Sequence, residues 1–506
     1  MNSFGKNKII FKGIWAVLAV LLSAYSLHAA ETIELDSTYK VTSADEGNSF
    51  VFNNVSVESS DASLYGFYML GSKVQDTTVD SVSGSLNLKT TGSGTQRTSS
   101  IYGVYIRTGN NTINTLSGNY EFVCDTSSTS NYGGSVYGVV VANGSLYNVE
   151  NITLGVSTNS KKGDAYGFNF ASGAYGVSNG SEDVGVKFSN ADISVSGNSK
   201  VTGILGAERV ASFQGNLVVS GVEGGSVNAL KFDNTSGINK KIFKLSGESS
   251  ISAVNGNSIY SAVNGNLNII GDVGGNQVFD GNISIAGYSN TTTSISFTNG
   301  NFAVQNSSSG EVLLNGVRDP ANAKETLYDF SGGSVVFNDD AIFSSTLVEI
   351  GGGVLLSTAD GKGLSFENSI VDIDASQINA DRLALGQGSG LNVTGAASID
   401  VGELSVFEGV AVSLIDEASL SVDSLEVVLS SIQAGTTYDL SDIFGNETLS
   451  VLSLVNNNVT MSDTFGHSFD VIVSDNGQIT AVPEPSTYAA VFGVLALAFA
   501  VYRMRR

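Results

Sequence analysis

"LYGFYML" at 64–70, "IYGVYIR" at 101–107, "VYGVVVA" at 136–142 and "AYGFNFA" at 165–171 are four versions of one seven-residue string. A weaker fifth, "VTGILGA", follows at 201–207. Tyr65, Tyr102, Tyr137 and Tyr166, with Thr202 in the fifth version, recur at intervals of 37, 35, 29 and 36 residues. A repeat of that length signals a solenoid, a propeller or a repeat array.

Two other strings recur between these. One opens on Gly-Asn and then alternates: "GNYEFV" from Gly118, "GNLVVS" from Gly215, "GNLNII" from Gly265, "GNISIA" from Gly281 and "GNFAVQ" from Gly300. Gly and Asn tolerate positive φ, so each reads as a corner followed by a strand. The other is "NTINTL" at 111–116, "SLYNVE" at 145–150, "RVASFQ" at 209–214 and "KIFKLS" at 241–246. One unit therefore holds three short strands, where a propeller blade would need four. No apolar spacing of 3.6 persists, which excludes helical repeats. The expected fold is all-β, a right-handed parallel β-helix, with a helical signal segment before it and a single C-terminal transmembrane helix after it.

Strict alternation along the seven-residue string places Tyr65, Phe67 and Met69 on one face, and Tyr102, Val104 and Ile106 in the next copy. That face is apolar in every copy, so the tyrosines are expected to point into the core. Gly66, Gly103, Gly138 and Gly167 then fall on the opposite face. An outward aromatic ladder for stacking on sugars is the alternative.

The texture changes along the chain. Residues 1–30 read as a signal peptide and 31–316 as units of about 35 residues. Residues 317–331 break the pattern, with Asp319 and Pro320 placed to start a short helix. Shorter rungs run over 332–430, a β-rich cap over 431–482, and a sorting or anchor segment over 483–506. A solenoid needs a cap to cover its last strand edge.

Composition narrows the function. The 506 residues carry a formal charge of −24, with 24 Lys and Arg against 48 Asp and Glu. A polyanion of this kind repels nucleic acid. One cysteine, Cys124, allows no internal disulfide, and two histidines, His28 and His467, make no zinc site. No phosphate loop, calcium repeat or EF-hand loop is present. No metal or cofactor is expected, and no catalytic constellation stands out. The best enzymatic alternative is a polysaccharide lyase or glycosidase using Asp372, Asp374 and Arg382, the first two projecting from one face of a strand.

Both ends carry targeting features. Lys6, Lys8 and Lys12 precede an apolar stretch and then small residues, the three-part pattern of a secretory signal. At the other end, "VPEPSTYAAVFGVLALAFAVYRMRR" holds Pro483 and Pro485, two of the chain's three prolines, around Glu484. An apolar run follows, carrying Tyr488, Phe492, Leu495, Leu497, Phe499 and Tyr502. Arg503, Arg505 and Arg506 close it and should stay cytoplasmic.

This tail resembles the PEP-CTERM sorting domain of Gram-negative bacteria. The resemblance implies recognition of Pro483, Glu484 and Pro485 by an exosortase, removal of the tail after transient anchoring in the inner membrane, and delivery to the cell surface or an exopolysaccharide matrix. The body loosely resembles autotransporter passengers and other secreted β-helices, without the C-terminal barrel strands of autotransporters. The function expected is a structural, adhesin-like surface protein linked to biofilm, with exopolysaccharide as a partner, rather than an enzyme.

Overall fold

The structure is a computed structural model. It describes residues 31–482 apart from 61, 70–75, 93–99, 108–109, 127–133, 171–184, 234–239, 264, 287–291, 323, 434 and 456–457, together with 493–497, 499 and 501–503. The expected signal helix and the Pro483–Glu484–Pro485 motif lie outside these residues.

The described chain is nearly all β, and its strands pair overwhelmingly in parallel. Each seven-residue string forms a six-residue strand. Leu64–Met69 pairs with Ile101–Ile106, which pairs with Val136–Val141, then Ala165–Phe170, then Lys200–Leu205. The register sets Tyr65 beside Tyr102, Tyr137, Tyr166 and Thr202 in turn. The sequence repeat is thus a stack of equivalent residues on successive turns of the chain.

Apart from the copy that opens at Gly265, which forms its own strand Asn266–Ile270, the two other strings do not form separate strands. They fuse into one long strand per turn: Thr78–Gly92, Thr112–Thr126, Ser145–Thr158, Val186–Gly197 and Val210–Gly221. These also stack in parallel, each on the long strand one turn before. Residues with positive φ bend them: Gly84 (95°), Gly118 (108°) and Gly215 (136°), with Asn151 and Asn190 in the turns between. The ladder resumes on both sides of the bend, so the corner needs no loop. A Cβ on Gly118 would collide with the Gly84 carbonyl, which explains glycine on glycine at this corner.

Turns shorten beyond residue 340. Leu347, Ile370, Gly390 and Ala411 stack at intervals of 23, 20 and 21 residues. At the change of texture, Pro320–Asn322 form one 3-10 turn inside a small antiparallel pairing of Arg318–Asp319 with Lys324–Glu325. Long strands such as Thr293–Gln305, Lys324–Phe337 and Gln377–Leu385 take part in more than one ladder, so the pairings close into a ring of strands.

The core runs along the inside of the stack. Phe67, Phe122, Phe168, Phe213, Phe279 and Phe343 are fully buried, and Phe343 lies 4.9 Å from Phe366 at 19°. Two tyrosines are also fully inside, and each hydroxyl finds backbone. Tyr120 Oη donates to the Ser117 carbonyl (2.8 Å) and Tyr328 Oη to the Asn315 carbonyl (2.8 Å), as buried phenols require.

At the C-terminal end, the helices Ser441–Phe444 and Thr448–Leu454 bury Ile443, Phe444 and Val451 against the last turns. An antiparallel sheet of Thr437–Asp439, Gln478–Val482 and Ser468–Val473 follows. In the tail, residues 493–497, 499 and 501–503 are helical, and Val494, Leu495, Leu497 and Phe499 are 58–69% exposed. Among the described residues no helix is long and apolar enough to cross a membrane. Tyr488, Phe492, Arg505 and Arg506 lie outside the described residues, whereas Tyr502 and Arg503 end the helical stretch.

Candidate functional site

The tyrosines of the repeat face outward, which corrects the inward orientation expected from strict alternation. In Ile101–Ile106, residues Ile101, Gly103, Val104 and Ile106 are buried, while Tyr102 and Tyr105 are half-buried. The strand changes phase at its glycine, so two consecutive residues face in. The cause lies across the core. A Cβ on Gly103 would run into the Phe122 ring, and one on Gly66 would press Leu86 Cδ2 at 2.6 Å. Side chains of the long strand fill the space, and only glycine fits beneath them. That partner is visible only once the register is known.

The result is an outward stack of parallel rings. Centroids are 5.0 Å apart for Tyr65–Tyr102 at 8°, 5.0 Å for Tyr102–Tyr137 at 3°, and 5.2 Å for Tyr137–Tyr166 at 5°. Tyr68 and Tyr105 widen it, at 5.5 Å from Tyr65 and 5.1 Å from Tyr102. Carbon contact occurs at about 3.5–4.0 Å, so parallel rings at this spacing are offset-stacked, a favoured aromatic geometry. Burial, then Tyr137, Tyr65 and Tyr105, push the Tyr102 phenol above the ordinary tyrosine range. Burial raises Tyr105 and Tyr137 as well. Tyr166 is raised by burial and then by Asp164, whose Oδ2 accepts its hydroxyl at 3.4 Å.

The acidic residues singled out in the sequence do not come together with Arg382. Asp372 and Asp374 project from the exposed side of Ile370–Asp374, with Val371 and Ile373 inside. Asp372 accepts from Asn392 Nδ2 at 2.7 Å, and Asp374 from Thr394 Oγ1 at 3.4 Å. Arg382 sits on Gln377–Leu385, beside Gly363 and Glu403 in register. Its Nη2 bonds Asp340 Oδ1 at 2.9 Å, two turns back. Gly363 between them has no side chain, which opens the path. Asp340 also accepts from Gly363 N at 2.8 Å.

Around this ion pair lies a groove of about 540 Å³ lined in part by Asp340, Ser365, Arg382, Glu403, Ser405 and Glu426. The Glu426 carboxylate accepts from Ser405 Oγ (2.9 Å) and Ser462 Oγ (2.6 Å). Two of its acids, Asp340 and Glu426, are therefore engaged by neighbours. Elsewhere, His467 Nδ1 meets Asp463 Oδ2 at 2.8 Å on the exposed C-terminal sheet. Cys124 is buried. Among the described residues no group of three or more His, Cys, Asp or Glu could hold a metal ion.

No protein-family model matches the chain, and neither do any of the curated proteins or solved structures compared with it. Class alone is defined at this point: an all-β protein of stacked parallel strands with an outward aromatic ladder.

Proposed function

We propose that this chain is an exported right-handed parallel β-helix rod, displayed at the surface or in the extracellular matrix of a Gram-negative cell, with a structural and adhesive role. The observation that carries the proposal is the tail. Pro483, Glu484 and Pro485 precede an apolar run whose described residues are helical and exposed, ending on arginines. An exposed apolar helix of this kind is unstable in water alone and suits a transient membrane stop. On this reading an exosortase-type enzyme processes the motif at the inner membrane and releases the body outward.

The body suits display. Stacked strands satisfy their own backbone, and an acidic surface keeps a rod soluble and apart from its copies. The enzymatic alternative, a lyase or glycosidase on the same scaffold, is less favoured. Arg382 is committed to Asp340 rather than to Asp372 or Asp374.

Protease shaving of intact cells tests the reading, with an activity screen on acidic polysaccharides beside it. The body should be degraded from outside, without depolymerase activity. Full protection in the cytoplasm, or lysis abolished by Asp374→Asn or Asp340→Asn, would overturn it.

A further inference from the structure

We propose that Tyr65, Tyr68, Tyr102, Tyr105, Tyr137 and Tyr166 form a binding platform for an uncharged polysaccharide chain, taking about one sugar ring per tyrosine of the long column. The proposal deepens the reading of this chain as a matrix protein and rests on it for its biological setting. The binding itself is a property of the purified molecule.

The ladder is built unlike the structural tyrosines of the same fold. Tyr120 and Tyr328 are buried with their hydroxyls on backbone carbonyls. The ladder tyrosines are half-buried. Among the described residues, no protein group bonds the hydroxyls of Tyr65, Tyr68, Tyr102 or Tyr105. These phenols therefore present aromatic carbon and a free donor-acceptor side by side. The rings cover one another's faces within the column, so a sugar chain would lie along their outer edges, its hydroxyls exchanging hydrogen bonds with the free phenols rung by rung.

Spacing and charge narrow the ligand. Steps of 5.0, 5.0 and 5.2 Å are close to the length of one pyranose in an extended chain. A ladder fixed by backbone stacking is preorganised, so little side-chain entropy is lost on binding. The formal charge of −24 disfavours a polyanionic glycan. The column ends after Tyr166, because Thr202 and Asn228, next in register, are buried. Affinity should therefore grow with chain length up to about four sugars, the number of stacked tyrosines, and then level off.

Affinity electrophoresis of the purified full chain through gels holding β-glucan, xylan, galactomannan or alginate tests this. At least one neutral polysaccharide should retard the protein. Tyr102→Ala with Tyr137→Ala should weaken retardation about tenfold or more, and Tyr65→Phe with Tyr102→Phe, which keeps the rings and removes two free hydroxyls, should weaken it as well. Retardation by no neutral polysaccharide, only by alginate, or equally in the alanine variant would overturn the proposal. Should the alanine pair fail to fold, iodination of the unmutated chain decides instead. A bound oligosaccharide should protect the ladder tyrosines, and no protection would be contrary. Because the protein is purified, failure here leaves the surface location standing, and shaving of cells tests that separately.

Discussion

The rings of Tyr102 and Tyr137 lie 5.0 Å apart and within 3° of parallel, although 35 residues separate them in the chain. Four successive turns of the fold deliver an equivalent phenol to the same line. Burial raises both above the ordinary tyrosine value of 10.0, and Tyr39, partly buried and bonded to Asp45, rises to about 12. A phenol raised by folding gives its full stabilisation below pH 10 and loses it as pH rises through the folded value. Phenolate absorbance should lag behind free tyrosine, with structure lost between about pH 10 and 12. Ordinary titration of an intact fold would contradict the packing.

Gly103 tests the inward turn of the glycines. Gly103→Ala places a methyl into the Phe122 ring, an overpacking defect of about 1–3 kcal/mol. Thermal unfolding measures it. If the glycine faced solvent, as alternation alone suggests, the variant would unfold like the parent.

Phe343 stacks on Phe366 at 4.9 Å and is fully buried. Phe343→Ala should cost about 3–5 kcal/mol. In a fold built of nearest-neighbour layers the loss is felt locally. Hydrogen exchange should accelerate first in Asp340–Ser344 and Gly363–Glu367, with Leu64–Met69 unchanged. Uniform acceleration over the chain would speak against layered stability.

Asp329, Glu349 and Asp372 stand side by side on adjacent strands. Burial, then Asp329 and Asp372, raise the Glu349 carboxyl above its usual 4.5. The folded state then binds the proton more tightly than the unfolded one, so stability falls as pH rises through this window. Glu349→Gln should raise the melting temperature at neutral pH and leave it unchanged well below pH 4.5. A lower melting temperature at neutral pH would mean that the carboxylate is stabilised by a partner.

The all-β class and its parallel stacking were legible because equivalent residues recur at equivalent places on successive turns. Leu64–Met69 and Ile101–Ile106 pair in the register that their shared string suggests. The strand count was less legible. Gly118 looks like a turn between two strands, yet positive φ lets one ladder run through it. The direction of the tyrosines was hidden for a related reason. Alternation holds until a glycine shifts the phase, and the cause, Phe122 beneath Gly103, comes from another part of the turn. Arg382 and Asp340 are 42 residues apart. They meet only because two short turns bring them into line, and no local pattern announces that.

The tail carries the account of where this protein works, and intact mass tests it most directly. Protein extracted from the cell surface should lack the N-terminal segment and end near Pro483–Pro485, without Arg506. A full-length chain that retains Arg506 and is recovered from the cytoplasm would contradict it.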